Sequence, residues 1–386
     1  MENQFEIRKF VSPEIIFGVD ARLRAGTYLK NLGIQKALIV TDPGVIDAGW
    51  AGSVIRTIEE EGVAYSIYAK VSPNPRVNEV MEGSEFFKSE GCDGIVAVGG
   101  GSPIDCAKGI GIVSANQKNI LAFEGVDMIS LPIPPMICIP TTGGTSADVS
   151  QFAIITDLEQ QVKIAIISKA VVPDVALIDP VTLTTMDAYL SACTSIDALV
   201  HAIEAFVSSG NSVLTDVHAL SAIKILSENI LLALQSPDDT ALREKIMFGS
   251  LEAGLAFSNA SLGGVHAMAH SLGGLLDLPH GECNAILLRH VMDFNYDVAS
   301  ERYVKIGQEM GMHLQGMTTG AKKKAILDHI TFLRKEAGVE KTLQHKGVKI
   351  ANIPELSKNA IKDPCLVTNP RQANQRDIEV IYEEAL

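Results

Sequence analysis

The 386-residue sequence is short of cysteine, of aromatics, of positive charge and of unbroken apolar runs, and each shortage excludes something. Its six cysteines, Cys92, Cys106, Cys138, Cys193, Cys283 and Cys365, stand singly with no CxxC pair. That spacing excludes a disulfide framework and a thiolate zinc site, and it reads as reduced, mostly buried thiols in a cytoplasmic protein. With 46 acidic against 32 basic residues the net charge is −14, which repels nucleic-acid phosphates and anionic lipid. The one basic run, Lys322-Lys323-Lys324, reads as the solvated face of a helix. The first twenty residues contain no continuous apolar signal region, and no later unbroken apolar run reaches the ~18 residues of a membrane span. The expectation is therefore a cytoplasmic protein with no nucleic-acid and no membrane partner.

What is present is enough apolar residue, 47% against 20% charged, for two or three well-cored domains. The first half alternates β-branched runs (36–41, 64–68, 94–98, 136–139, 175–178) with amphipathic stretches such as 45–61 and 77–90. Strands apolar on both faces and separated by helices predict a parallel α/β sheet. The pair 152–156 and 162–167, around Asp157-Leu158-Glu159-Gln160, predicts a hairpin inserted in that layer. After Asp179-Pro180 the texture changes to Ala, Leu and Met at helical spacing. An α/β domain over residues 1–187 and an all-helical domain over 188–386 are expected.

Two glycine-rich loops follow predicted strands. Gly99-Gly100-Gly101-Ser102-Pro103 runs from one strand into a helix, where backbone N–H groups favour an anion such as pyrophosphate. Pro140-Thr141-Thr142-Gly143-Gly144-Thr145-Ser146 adds hydroxyls at the end of another. Loops at the carboxyl ends of parallel strands converge on the crevice where such sheets bind ligands. Asp42 closes the strand 37–41, as a helix N-cap or as an acceptor for a ribose diol that repels a 2′-phosphate. Because this acid precedes the glycine loop, the order is not that of a Rossmann fingerprint.

The second half carries histidine. Asp197 and His201 stand at i and i+4, His266 and His270 repeat the spacing, and His280 follows ten residues later. In apolar surroundings each of these groups needs a partner, and one divalent cation would satisfy several, four of the five sufficing as ligands. Imidazole and carboxylate without thiolate suit iron(II), zinc, manganese or cobalt.

In these motifs the chain resembles the iron-containing, group III alcohol dehydrogenases over its whole length. The motifs are the loop 99–103 with Asp105 and Lys108, the loop 140–145, Asp197 with His201, Gly264-Val265-His266 through His270, and Pro279-His280-Gly281. The resemblance implies an N-terminal α/β dinucleotide-binding domain, an all-α C-terminal domain in the dehydroquinate synthase-like arrangement, and a cleft between them. It implies NAD as cofactor and an iron(II) ion, with zinc as the alternative, held by Asp197, His201, His266 and His280, with His270 beside the ion in a catalytic role. Cofactor contacts fall on Asp42, Asn74, Gly99, Gly100, Ser102, Thr141, Thr142, Thr145 and Lys163, and substrate-pocket positions on Phe152, Ala165, Phe257 and Cys365. The activity implied is interconversion of primary alcohols and aldehydes by hydride transfer, with the divalent ion polarising the substrate oxygen. A homo-oligomer is implied as well. Two positions depart from the family pattern, Ser195 before the ligand aspartate and Gly143 in the second loop. The rival reading is a non-catalytic or weakly catalytic sensor that keeps the fold, for which Ser195 is the one nearby argument.

Overall fold

The computed structural model describes residues 9–386. Nine strands occupy its first half: β1 (Glu14–Phe17), β2 (Lys36–Val40), β3 (Ala64–Tyr68), β4 (Gly94–Gly99), β5 (Gly125–Val126), β6 (Met136–Pro140), β7 (Phe152–Asp157), β8 (Val162–Ile167) and β9 (Val175–Ile178). Six of them form an all-parallel sheet in the order β1-β9-β6-β4-β2-β3. Residues of β4 and β6 are buried throughout, as strands covered by helices on both faces must be. The remaining three form a small sheet in the order β5-β8-β7, in which β7 and β8 make the expected antiparallel hairpin.

After β9 the described chain is helical. Asp187 accepts the Leu190 N–H and so caps the long helix Ala188–Val207. Beyond it lie Val213–Gln235, Thr240–Ala260, Gly264–Leu276 and His280–Asn295, packed with the shorter C-terminal helices into one large core. The α/β half followed by a helical half is the fold class expected.

One local expectation needs correction, and two features go beyond what was expected. The stretch 45–61 is two helices, Pro43–Asp47 and Trp50–Glu60, because Gly49 at φ +83° takes a left-handed conformation that breaks the run. Strand β1 was not expected; four residues carry too little pattern, and its pairing with β9, far along the chain, makes it a strand. Two helices, Ala188–Val207 and Val213–Gln235, are long and apolar enough by length and composition to cross a membrane, although neither is an unbroken apolar run. The first is 94% buried, and this core helix carries Asp197, His201 and Glu204 inward. All six cysteines are free and buried. Lys322 to Lys324 lie on the helix Thr319–Glu336, where Lys323 meets Asp293 and Lys324 meets Asp328.

The sheet positions the loops. From β2 the chain steps outward to β3, then crosses back to β4 and continues through β6 to β9 on the other side. Such a reversal of winding opens a crevice at the carboxyl ends of the strands. Asp42 after β2, the glycine loop after β4 and the threonine loop after β6 all stand at that edge.

Candidate active site

A cavity of about 760 Å³ lies between these loops and the helical half. The glycine loop makes its first wall. Gly99, at φ +154°, has no room for a side chain, since a Cβ would meet the Pro103 ring at 2.5 Å. Gly100 caps the helix Gly101–Asn116, and a Cβ there would stand 3.0 Å from the Thr142 side chain. The two loops are thus packed against each other, with the helix N–H groups directed toward the space an anion would fill. Asp42 faces the same cavity while its side chain accepts the Val45 N–H at 2.9 Å. The cap reading therefore holds, and the same residue lines the crevice.

Across the cavity, Lys163 on β8 donates to Asn74 Oδ1 at 2.7 Å, and Asn74 Nδ2 donates to Asp277 Oδ1 at 2.8 Å. Burial pushes the Lys163 ammonium below its ordinary pKa. Gly100, Ser102, Thr141, Thr142 and Thr145 complete the lining on the side of the two loops. Gly99 lies behind that surface.

The donor cluster closes the inner end. Asp197 and His201 project from one face of the helix Ala188–Val207, His266 from Gly264–Leu276, and His280 from the start of His280–Asn295. One ligand atom from each of the four lies within 4.8 Å of all the others. The Nε2 atoms of His266 and His280 stand 3.8 and 4.0 Å from Asp197 Oδ1. Donors about 2.1 Å from a shared ion are separated by roughly 3.4 Å in a tetrahedron and by up to roughly 4.2 Å when opposed, and the two Asp197–histidine distances fall within that range. The buried Nδ1 atoms of His201 and His280 have no hydrogen-bond partner among the described residues. Burial lowers His201 to about 4 and His266 to about 3, and His280 also falls well below its ordinary value. Neutral imidazoles are the form a metal takes.

His270 does not join the four. Its ring lies 6.1 Å from that of His266, and its Nδ1 pairs with Asp363 Oδ2 at 2.8 Å. Burial opposes ionisation of Asp363, yet His270 and the Cys365 N–H, which donates to Asp363 Oδ1 at 2.8 Å, hold its carboxyl below the usual range. Phe257 stacks on His201 at 4.3 Å between ring centroids and meets Phe152 edge-on, so both aromatics form an apolar wall beside the donors. Ala165 and Cys365, expected at the substrate pocket, are buried and do not line the cavity.

Comparison with known proteins decides the lineage. Residues 12–180 match the family described as iron-containing alcohol dehydrogenase, and residues 191–386 match its C-terminal domain. The chain belongs to the iron-containing alcohol dehydrogenase family. It is 39% identical over 372 residues to 1,3-propanediol dehydrogenase of Klebsiella pneumoniae, covering 96% of each chain. It is 37% identical over 377 residues to the NAD-dependent methanol dehydrogenase of Bacillus methanolicus, covering 98% of this chain and 99% of that one. Among solved structures, a 1,3-propanediol oxidoreductase superposes with a TM-score of 0.95 at 36% identity, over 99% of this chain and 100% of that chain. This iron-containing alcohol dehydrogenase is accordingly an oxidoreductase acting between alcohols and aldehydes, and the sensor reading is set aside. Its two departures from the family pattern lie outside the cavity lining: Ser195 is buried in the core helix, and Gly143 packs near Leu183 and Ile246.

Three polar residues at the site were not singled out from the sequence. Glu204 accepts from Gly263 N at 3.1 Å, Val265 N at 2.7 Å and His266 Nδ1 at 2.6 Å, and burial pushes its carboxyl up to about 7. It stands seven residues after Asp197 on the same helix, so the face that marks Asp197 and His201 also marks Glu204. Asn284 was legible in the same way, one turn beyond His280. Asp363 had no local signal, being brought to His270 from 93 residues away.

Proposed function

We propose that this alcohol dehydrogenase uses NAD and a divalent ion, iron(II) by preference with zinc as the competitor, to interconvert small primary alcohols and aldehydes. The observation that carries the reading is one cavity in which an anion-ready glycine loop, an acid at the end of β2 and a thiolate-free donor cluster face the same space. Asp197, His201, His266 and His280 would hold the ion, and Asp42, Asn74, Gly100, Ser102, Thr141, Thr142, Thr145 and Lys163 would line the dinucleotide, with Gly99 setting the turn beneath it. When bound, the ion supplies Lewis acidity at the substrate oxygen and the nicotinamide supplies a two-electron acceptor.

The chain's own residues do the rest. The helix N–H groups after Gly100 neutralise pyrophosphate charge, and Asp42 receives the ribose hydroxyls. Phe152 and Phe257 exclude water from the reacting carbon. His270, fixed through Nδ1 by Asp363, keeps Nε2 available to take or return the hydroxyl proton. We further assign the enzyme to the cytoplasm as a homo-oligomer; its six free thiols support a reducing compartment.

The test is NADH oxidation against a panel of aldehydes, with protein purified anaerobically and reconstituted separately with iron(II) and with zinc. Turnover of short aldehydes that requires one of these ions is expected. Equal rates in ion-free protein would refute the metal-dependent reading.

A further inference from the structure

We propose that Asn284 positions the metal ligands, its amide nitrogen gathering Asp197, His266 and His280 around one point and keeping Asp197 once an ion takes the two imidazoles. The inference rests on the metal reading above and names a residue that this reading does not use. Asn284 lies one turn after His280 on the helix His280–Asn295 and is fully buried. Its Nδ2 stands 2.6 Å from Asp197 Oδ1, 3.0 Å from His266 Nε2 and 3.1 Å from His280 Nε2. An amide nitrogen has two hydrogens, so three acceptors compete for two donors.

The orientation of the amide follows from its neighbours. His266 gives its Nδ1 to Glu204, which leaves the Nε2 lone pair directed at the centre. With the amide reversed, a carbonyl oxygen would face a carboxylate and the His266 lone pair, two repulsive contacts in a buried space. The observed arrangement instead leaves Asn284 Oδ1 without a partner among the described residues, a cost of the kind a folded protein accepts at a functional site. The electropositive end of the amide therefore stands among the same groups that a cation would join.

An imidazole has one lone pair in the ring plane, and it cannot serve an N–H and an ion together. A carboxylate has lone pairs to spare. On binding an ion, His266 and His280 exchange Asn284 for the metal, while Asp197 keeps its amide bond and remains oriented. Asn284 touches neither substrate nor cofactor in this scheme, and its effect runs through the ligands.

The experiment uses cobalt(II) as the probe with full-length protein, measuring its dissociation constant by chelator competition, its visible absorption bands and the Tm with and without the ion. Asn284→Ala is expected to weaken cobalt binding by ~10- to 100-fold, the usual effect of losing a partner of the ligands, and to shift the bands. Asn284→Asp keeps the volume but sets a second carboxylate against Asp197. It is expected to lower the Tm of the ion-free protein and to give a larger cobalt-induced rise than the wild type, and it carries the test if the alanine variant does not fold. Affinities within twofold of wild type with unchanged bands, or a Tm loss that is the same with and without cobalt, overturn the proposal. Wild-type protein that takes up no cobalt overturns the metal reading beneath it, a result distinct from wild-type uptake that Asn284 does not influence.

Discussion

Asp42 offers the sharpest separation of two roles for one side chain. Its Oδ1 accepts the Val45 N–H at 2.9 Å and caps the helix Pro43–Asp47, while the residue faces the cavity where an adenosine ribose is expected. Among the described residues, Lys163 on the far wall is the one lysine or arginine lining that cavity, and none of them stands beside Asp42 to compensate a second phosphate. A 2′-phosphate carrying about two charges at roughly 5 Å from the carboxylate costs about 1.7 kcal/mol even at the dielectric constant of water, and more in a partly closed cleft. That is a factor of roughly fifteen. Wild-type kcat/KM is therefore expected to favour NADH over NADPH by at least about fifteenfold, measured by steady-state kinetics with one aldehyde at fixed ionic strength. Asn at this position keeps a cap acceptor and drops the charge; Gly loses both at a cost of a few tenths of a kcal/mol in stability. Both Asp42→Asn and Asp42→Gly should bring the ratio to within about threefold of unity, with Tm nearly unchanged in the first. A wild type indifferent to the 2′-phosphate, or an Asp42→Asn enzyme as selective as its parent, would refute the electrostatic argument and leave Asp42 a helix cap alone.

The same residue shows where sequence reading reaches and where it stops. A cap and a ribose acceptor require the same carboxylate at the same strand end, so the letters alone leave both open; the sheet order places that end at the reversal of winding. Strands β4 and β6 were legible because burial on both faces leaves an unbroken apolar run. β1, four residues none of them fully buried, and the two-residue β5 were not, because neither carries such a run. Helical periodicity exposed Asp197, His201, His266 and His270, and the same period extends to Glu204 and Asn284. Periodicity alone treats the pair His266 and His270 like the pair Asp197 and His201. Packing separates them: His266 turns to the donor cluster with Glu204 behind it, whereas His270 turns to Asp363. That distinction depends on a tertiary contact, which no local pattern carries.

The remaining predictions follow from the packing around the cavity. His266→Ala and His280→Ala should each abolish stable iron or zinc uptake, read by elemental analysis, along with aldehyde reduction; full ion content in both variants would sink the ligand assignment. Lys108 is fully buried and donates to the carbonyls of Ser150 at 2.8 Å and Phe152 at 2.7 Å, so Lys108→Met strands two acceptors. A stability loss of at least about 2 kcal/mol is expected in urea unfolding, and a variant as stable as the wild type would remove this anchor from the account. His270 decides how the proton moves. Its Nδ1 bond to Asp363 and its place outside the four-donor cluster predict that His270→Ala keeps its ion content while losing kcat. Gln retains hydrogen bonding but cannot titrate near neutrality, so a relay loses both rate and the pH dependence of kcat in His270→Gln, whereas a purely positioning side chain keeps most of each. Loss of the ion from His270→Ala would instead make His270 a ligand, and one of the other four donors would then have to leave the set.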